Sequence, residues 1–347
     1  MKDSARTLKP TGPCSENVNR YDSPPVLVIN FNRPDFTQRV LEVIQAQSPS
    51  AVYIAVDGAR QGRLDDASAC RIVRQLAHDF SPGCPVHCLF QERNLGTGIA
   101  VPTAISWFFE HESQGIILED DCIPRPDFFR FTGELLARYA NDPGVMMISG
   151  NSFAFDDKLS PSEYTFARNA HIWGWATWRR AWDLYDHSMT EWPSLRKTKW
   201  LLNVCKGHKD AVRYWKWIFD ETRKNKVDAW DYRWWYSMWR HDGFSVVPPL
   251  NLVENVGFDE RSTHTIRMPN WFAEVPRDTL TFPLHHPTVA RRNEVAERWI
   301  DVHRFSTNLS GVRRLKQVVL RALSHVHLDQ IALAVASRIR MAAKRSR

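Results

Sequence analysis

Short apolar runs, each stopped by a polar or turn-forming residue, punctuate the first 150 positions. Pro25-Val-Leu-Val-Ile-Asn30 reads as a buried strand, and Pro34 followed by Phe36, Val40, Leu41 and Ile44 opens a helix with proline in its first turn. The run over 51–56 repeats the strand and stops at Asp57-Gly58. A helix over about 64–78, a strand over 86–91 and a helix over 99–110 follow, the last opened by Gly96 and Gly98. Gly115-Ile-Ile-Leu-Glu119-Asp120-Asp121-Cys-Ile-Pro124 is a further buried strand, with three consecutive carboxylates at its exit. A helix over about 126–139 and a strand over 145–150 complete the series. Strands alternating with helices in this way predict an α/β fold with a mostly parallel, helix-covered, Rossmann-like sheet.

Beyond Gly150 the pattern changes. Twelve of the fifteen tryptophans lie between Trp173 and Trp239, and Trp178/Trp182 and Trp235/Trp239 have the helical spacing of packing pairs. Gly174 places Trp173 and Trp175 in an irregular, exposed loop, where their faces suit sugar rings. A helix over about 228–240, a strand over 244–248 and a polar loop holding His264 come next. Residues 266–288 are proline-rich and expected to wrap the surface, and 294–304 reads as helix. The chain thus divides into a flexible leader (1–23), an α/β half (24–150), a Trp-rich half of the same domain (151–265), a wrapping segment (266–309) and a C-terminal helix (310–347).

Charge refines that last element. Residues 310–347 carry nine Lys and Arg against Asp329, so of the net +7 the rest of the chain keeps about −1. A basic nucleic-acid surface on the main body is therefore not supported. Leu315, Val319, Ala322 and Val326 line one helical face, the pattern either of a basic anchor on an anionic membrane surface or of a helix packed on the body. The six cysteines show no paired zinc spacing, no apolar signal segment begins the sequence, and no stretch of 18 apolar residues occurs. These features imply reduced thiols and a cytoplasmic location, peripheral at the inner membrane face if the tail binds lipid.

Candidate chemistry gathers at the strand ends, where open α/β sheets bind ligands. Three adjacent carboxylates repel one another and call for a cation, with a solvated acidic turn as the plain alternative. Their oxygens suit Mg²⁺ or Mn²⁺. Strand alternation points Glu119 and Asp121 to one side and Asp120 to the other. Arg33, in a strand-to-helix loop, suits a nucleotide base or diphosphate, or is a solvated loop arginine. Asp57 suits a ribose, or simply makes a turn. The helix start at Gly96 and Gly98 can face phosphate. Asp231, among tryptophans, suits a general base, or is the first-turn acid of its helix.

The segments Pro25 to Pro34, Val56-Asp57-Gly58, Arg93-Asn94-Leu95-Gly96, and Ile117-Leu118-Glu119-Asp120-Asp121 followed by Pro126-Asp127-Phe128-Phe129 resemble GT-A fold nucleotide-sugar glycosyltransferases. The last segment is similar to the N-acetylglucosaminyltransferase I type and family 2-like bacterial enzymes. The resemblance covers roughly residues 25–265. It implies that Asp121 coordinates Mn²⁺ on the nucleotide diphosphate, that Glu119 contacts the donor sugar and Asp120 the ribose. It also implies that Arg33, Asp57 and Asn94 lie at the nucleotide sugar, and that His264 lies near the diphosphate and metal. Trp230-Asp231 matches the catalytic-base segment, but Tyr232 stands where an acid is expected, leaving the base between Asp231 and Asp228. The implied reaction moves a sugar from a nucleotide donor, a UDP-sugar first, to a glycan or lipid-linked hydroxyl by single inverting displacement. A sugar nucleotidyltransferase would need a basic glycine-rich loop after the first strand, which Asn30-Phe-Asn-Arg-Pro34 is not. A non-catalytic glycan-binding protein would leave the three carboxylates unexplained.

Overall fold

The computed structural model describes residues 6–7, 23–152, 163–258, 279–305 and 307. His264, the basic tail over 310–347 and most of the leader lie outside the described residues. Of the leader, β1 (Arg6–Thr7) pairs antiparallel with β12 (Val289–Ala290).

The apolar runs become β2 (Val26–Asn30), β3 (Val52–Val56), β4 (Val86–Phe90), β5 (Gln114–Glu119) and β7 (Val145–Ser149). Between them stand α1 (Pro34–Gln47), α2 (Leu64–Asp79), α3 (Thr97–His111), the short β6 (Cys122–Pro124) and α4 (Pro126–Arg138). The Trp-rich half adds β8 (Thr165–Ala167), β9 (Trp175–Trp178), α5 (Arg179–Trp182), α6 (Trp192–Leu195), α7 (Trp200–Val204) and α8 (Lys209–Arg223). It continues through α9 (Asp231–Arg240), β10 (Phe244–Val247) and β11 (Val253–Asn255), and α10 (Glu294–His303) follows β12.

Eight strands form one sheet in the order β4-β3-β2-β5-β9-β7-β10-β8. Four of its seven pairings are parallel, and β9 runs antiparallel between β5 and β7. Strand alternation separates two cores. Leu27 and Ile29 of β2 face α3 and the tryptophans, whereas Val26 and Val28 face the apolar sides of α1, α2 and α4. Burial on both faces explains why these strands are continuous apolar runs.

Most of the tryptophans are core. Trp215 stacks on Trp235 with centroids 4.8 Å apart, and Trp192, Trp234 and Trp239 are as deeply buried. Two expectations from sequence are corrected here. Trp175 is not in an exposed loop: it begins β9, is 1% exposed and stacks on Trp230, because pairing with both β5 and β7 draws it into the sheet. The helix expected from residue 228 begins at Asp231, and Asp228, which accepts from the Gly98 amide, precedes it.

Candidate active site

Strand order reverses between β2 and β5, since the chain builds outward from β2 through β3 to β4 and then crosses to the other side. The crevice beyond the carboxyl ends of two such strands is where doubly wound sheets hold ligands. Arg33 enters that crevice from the loop after β2, and Asp120 and Asp121 enter from the turn after β5. Arg33 Nη1 lies 3.3 Å from Asp120 Oδ1 and 2.7 Å from Asp121 Oδ2. The Phe31 amide donates to Asp120 Oδ2 at 3.4 Å, and the Asp120 amide donates to the Ile29 carbonyl at 3.0 Å. The alternation expected of the three acids therefore fails after Glu119. The strand ends there, and the turn brings Asp120 and Asp121 to one guanidinium.

One guanidinium does not neutralise three carboxylates. Desolvation, with Asp121 and Asp120 beside it, raises the Glu119 pKa above the ordinary carboxylate value; Arg33 opposes the shift and Asp231 adds to it. Desolvation likewise raises Asp120, against the pull of Arg33. Asp231 stands in the first turn of α9, and its charge is the smallest of those bearing on Glu119.

Gly257 was not anticipated in the sequence. β11 pairs with β6, the Val256 amide donates to the Asp121 carbonyl at 2.9 Å, and a Cβ on Gly257 would stand 2.0 Å from Asp121 Oδ2. The signal was present, because a glycine just past a strand marks close backbone approach. Phe258 follows and packs its ring edge-on to Trp173, which is half-buried beneath the Arg304 guanidinium. Trp173 is thereby joined to the acidic turn, whereas Trp175 is sealed in the core.

Asp57 and Asn94 come together for a different purpose. Asp57 accepts from the Gly58 and Leu95 amides at 2.8 and 3.0 Å, from Gly96 at 3.2 Å, and from Asn94 Nδ2 at 2.9 Å. Its oxygens are filled by the loop they fasten, and that loop leads into α3. The start of α3 is also taken: the Gly98 amide donates to Asp228 Oδ1 at 3.0 Å, and a Cβ at Gly98 would overlap that oxygen. The helix terminus expected to face phosphate thus holds a carboxylate instead.

The acidic turn fits a hard divalent cation in donor type and in its excess of negative charge. No three acidic, histidine or cysteine side chains among the described residues converge as a ready cage. Such an ion would take one or two carboxylates here and its remaining ligands from substrate, which is how Mg²⁺ is commonly bound.

No protein-family model and no curated protein matches the chain. Among solved structures, HddC from Yersinia pseudotuberculosis is similar over 33% of this chain at 17% identity, with a TM-score of 0.24. The chain spans about half of that structure's length, 54%. The inositol-1-phosphate CTP transferase from T. maritima is similar over 48% of this chain and 74% of its own, at 9% identity and a TM-score of 0.28. Likeness at that level leaves the site geometry to carry the functional reading.

Proposed function

We propose that the chain transfers a sugar from a nucleoside-diphosphate donor to an acceptor hydroxyl. The observation that carries this reading is the acidic turn after β5 folded onto Arg33 at the sheet's switch point. A diphosphate needs positive charge, and among the described residues Arg33 is the one cationic side chain paired with the acidic turn, so a metal cation would complete the charge balance. Asp121 would hold Mg²⁺ or Mn²⁺, which when bound neutralises charge on the departing diphosphate. Arg33 fixes Asp120 and Asp121 and supplies the standing positive charge of the crevice. Asp120 is assigned to the ribose and Glu119 to the donor sugar.

Asp231, in the first turn of α9, is assigned as the base that takes the acceptor proton. Attack opposite the leaving diphosphate inverts the anomeric centre in one displacement. Asp57 and Asn94 act indirectly, by holding the 94–96 loop that borders the site. Trp173, beside Phe258, is assigned to the acceptor side.

Release of UDP or GDP from the corresponding nucleotide sugars in the presence of Mn²⁺ tests the assignment. Asp231→Asn is expected to lower kcat by about 10²- to 10⁴-fold while nucleotide binding persists. Unchanged turnover in that variant, or pyrophosphate release from CTP and a sugar phosphate in place of UDP or GDP release, would overturn it.

A further inference from the structure

An open groove of about 480 Å³ runs along the outer side of α3, within the range of small-ligand sites. Ile99, Thr103, Trp107 and Glu110 line it at helical spacing and so form one stripe, opposite the core stripe of Val101, Ile105 and Phe108. Tyr185 and His187 form the other wall. The aromatic rings are held in place: Trp107 meets Tyr53 edge-on at 5.4 Å, and Tyr185 stacks on Trp182 at 4.5 Å. Ile99 is 46% exposed, a large apolar side chain left in solvent on a helix whose other large apolar residues, apart from the half-buried Trp107, are buried.

The groove runs into the catalytic end of the molecule. Gly98, which precedes Ile99, donates its amide to Asp228. The Tyr185 hydroxyl donates to the Trp230 carbonyl at 3.5 Å, and Asp231 is the next residue. No Lys or Arg lines the groove among the described residues, and Glu110 brings a negative charge. A phosphate, nucleotide or acidic lipid headgroup would find no Lys or Arg partner among the residues that line the groove.

We infer that this groove binds the acceptor as an uncharged glycan, laid across Trp107 and Tyr185, with its hydroxyls bonded by Thr103, Glu110 and His187. Aromatic side chains offer apolar faces to the C–H faces of sugar rings, and the three polar groups supply both donors and acceptors. The acceptor role rests on the transferase reading; glycan binding at the groove does not.

Saturation-transfer NMR on the full chain tests the inference, with maltose, lactose and N,N′-diacetylchitobiose as probes. At least one disaccharide is expected to bind, with affinity falling about tenfold or more in Trp107→Ala and in the exposed-site variants Ile99→Lys and Glu110→Ala. Because Ile99 and Glu110 are exposed, those two variants keep the test valid if Trp107→Ala folds poorly. Asp121→Ala is expected to bind the same sugar as well as wild type. Failure of all three disaccharides to bind, or equal binding by all groove variants, would overturn the proposal. Parallel titration of UDP and GDP with Mn²⁺ separates the two readings: sugar binding without nucleotide binding removes the transferase, and nucleotide binding without sugar binding removes the groove alone.

Discussion

Asp57 illustrates how a residue's position and its role separate. Its carboxylate gathers three backbone amides and the Asn94 side chain, so Asp57→Ala leaves one buried and several partly buried donors unpaired. A loss of about 3 kcal/mol is expected, read as a lowered urea midpoint, with nucleotide affinity weakened as the loop loosens. Gly257 makes the opposite case. Gly257→Ala would press a methyl group against Asp121 Oδ2 and turn that carboxylate away, so Mn²⁺-dependent nucleotide affinity should fall at least about tenfold with little change in thermal unfolding. A variant that unfolds early but binds normally when folded would contradict this. The acids themselves were legible, because Glu119, Asp120, Asp121 and Asp57 end apolar runs. Their partners were not. Whether Asp57 meets a ribose or the Leu95 amide depends on a loop nearly 40 residues away, and whether Asp120 points with Asp121 depends on where β5 stops.

At the scale of elements, the strands and helices over 25–150 and their order followed from periodicity, and the Trp235/Trp239 spacing was correctly read as packing, whereas Trp178 ends β9 and packs in the opposite core from Trp182. The place of β9 was not legible. A four-residue strand preceded by Trp173-Gly174 looks like loop, and only its pairing with both β5 and β7 buries Trp175. The anchoring of α10 was equally hidden. Arg168, after β8, is buried between Glu297 and Asp301 of that helix; Asp301 also accepts from Trp215 Nε1, and Arg292 from beside β12 pairs with Glu297. Removing one partner strands buried charge, so Arg168→Met should cost about 3–5 kcal/mol and detach α10 first, seen as early amide exchange over 294–303. Exchange that remains uniform with the rest of the domain would count against that clamp.

For the whole molecule, one sheet carries two cores and gathers its chemistry at one edge, and no helix among the described residues is long and apolar enough to cross a membrane. Burial, reinforced by Arg304, holds His171 well below the ordinary value of 6.5. The folded state therefore refuses a proton that the unfolded chain accepts below that value. Stability should fall as pH drops from 6.5 toward the folded value, by up to about 1.4 kcal/mol per pH unit from this group. Urea midpoints at pH 7 and 5.5 should show the slope in wild type and a shallower one in His171→Gln; equal slopes would contradict the assignment. The central claim concerns the acidic turn on Arg33, and calorimetric titration of UDP and GDP in Mn²⁺ or EDTA tests it most directly. One nucleotide should bind wild type only with metal and fail to bind Asp121→Ala. Binding that ignores both EDTA and the substitution, or no binding by wild type at all, would contradict the account.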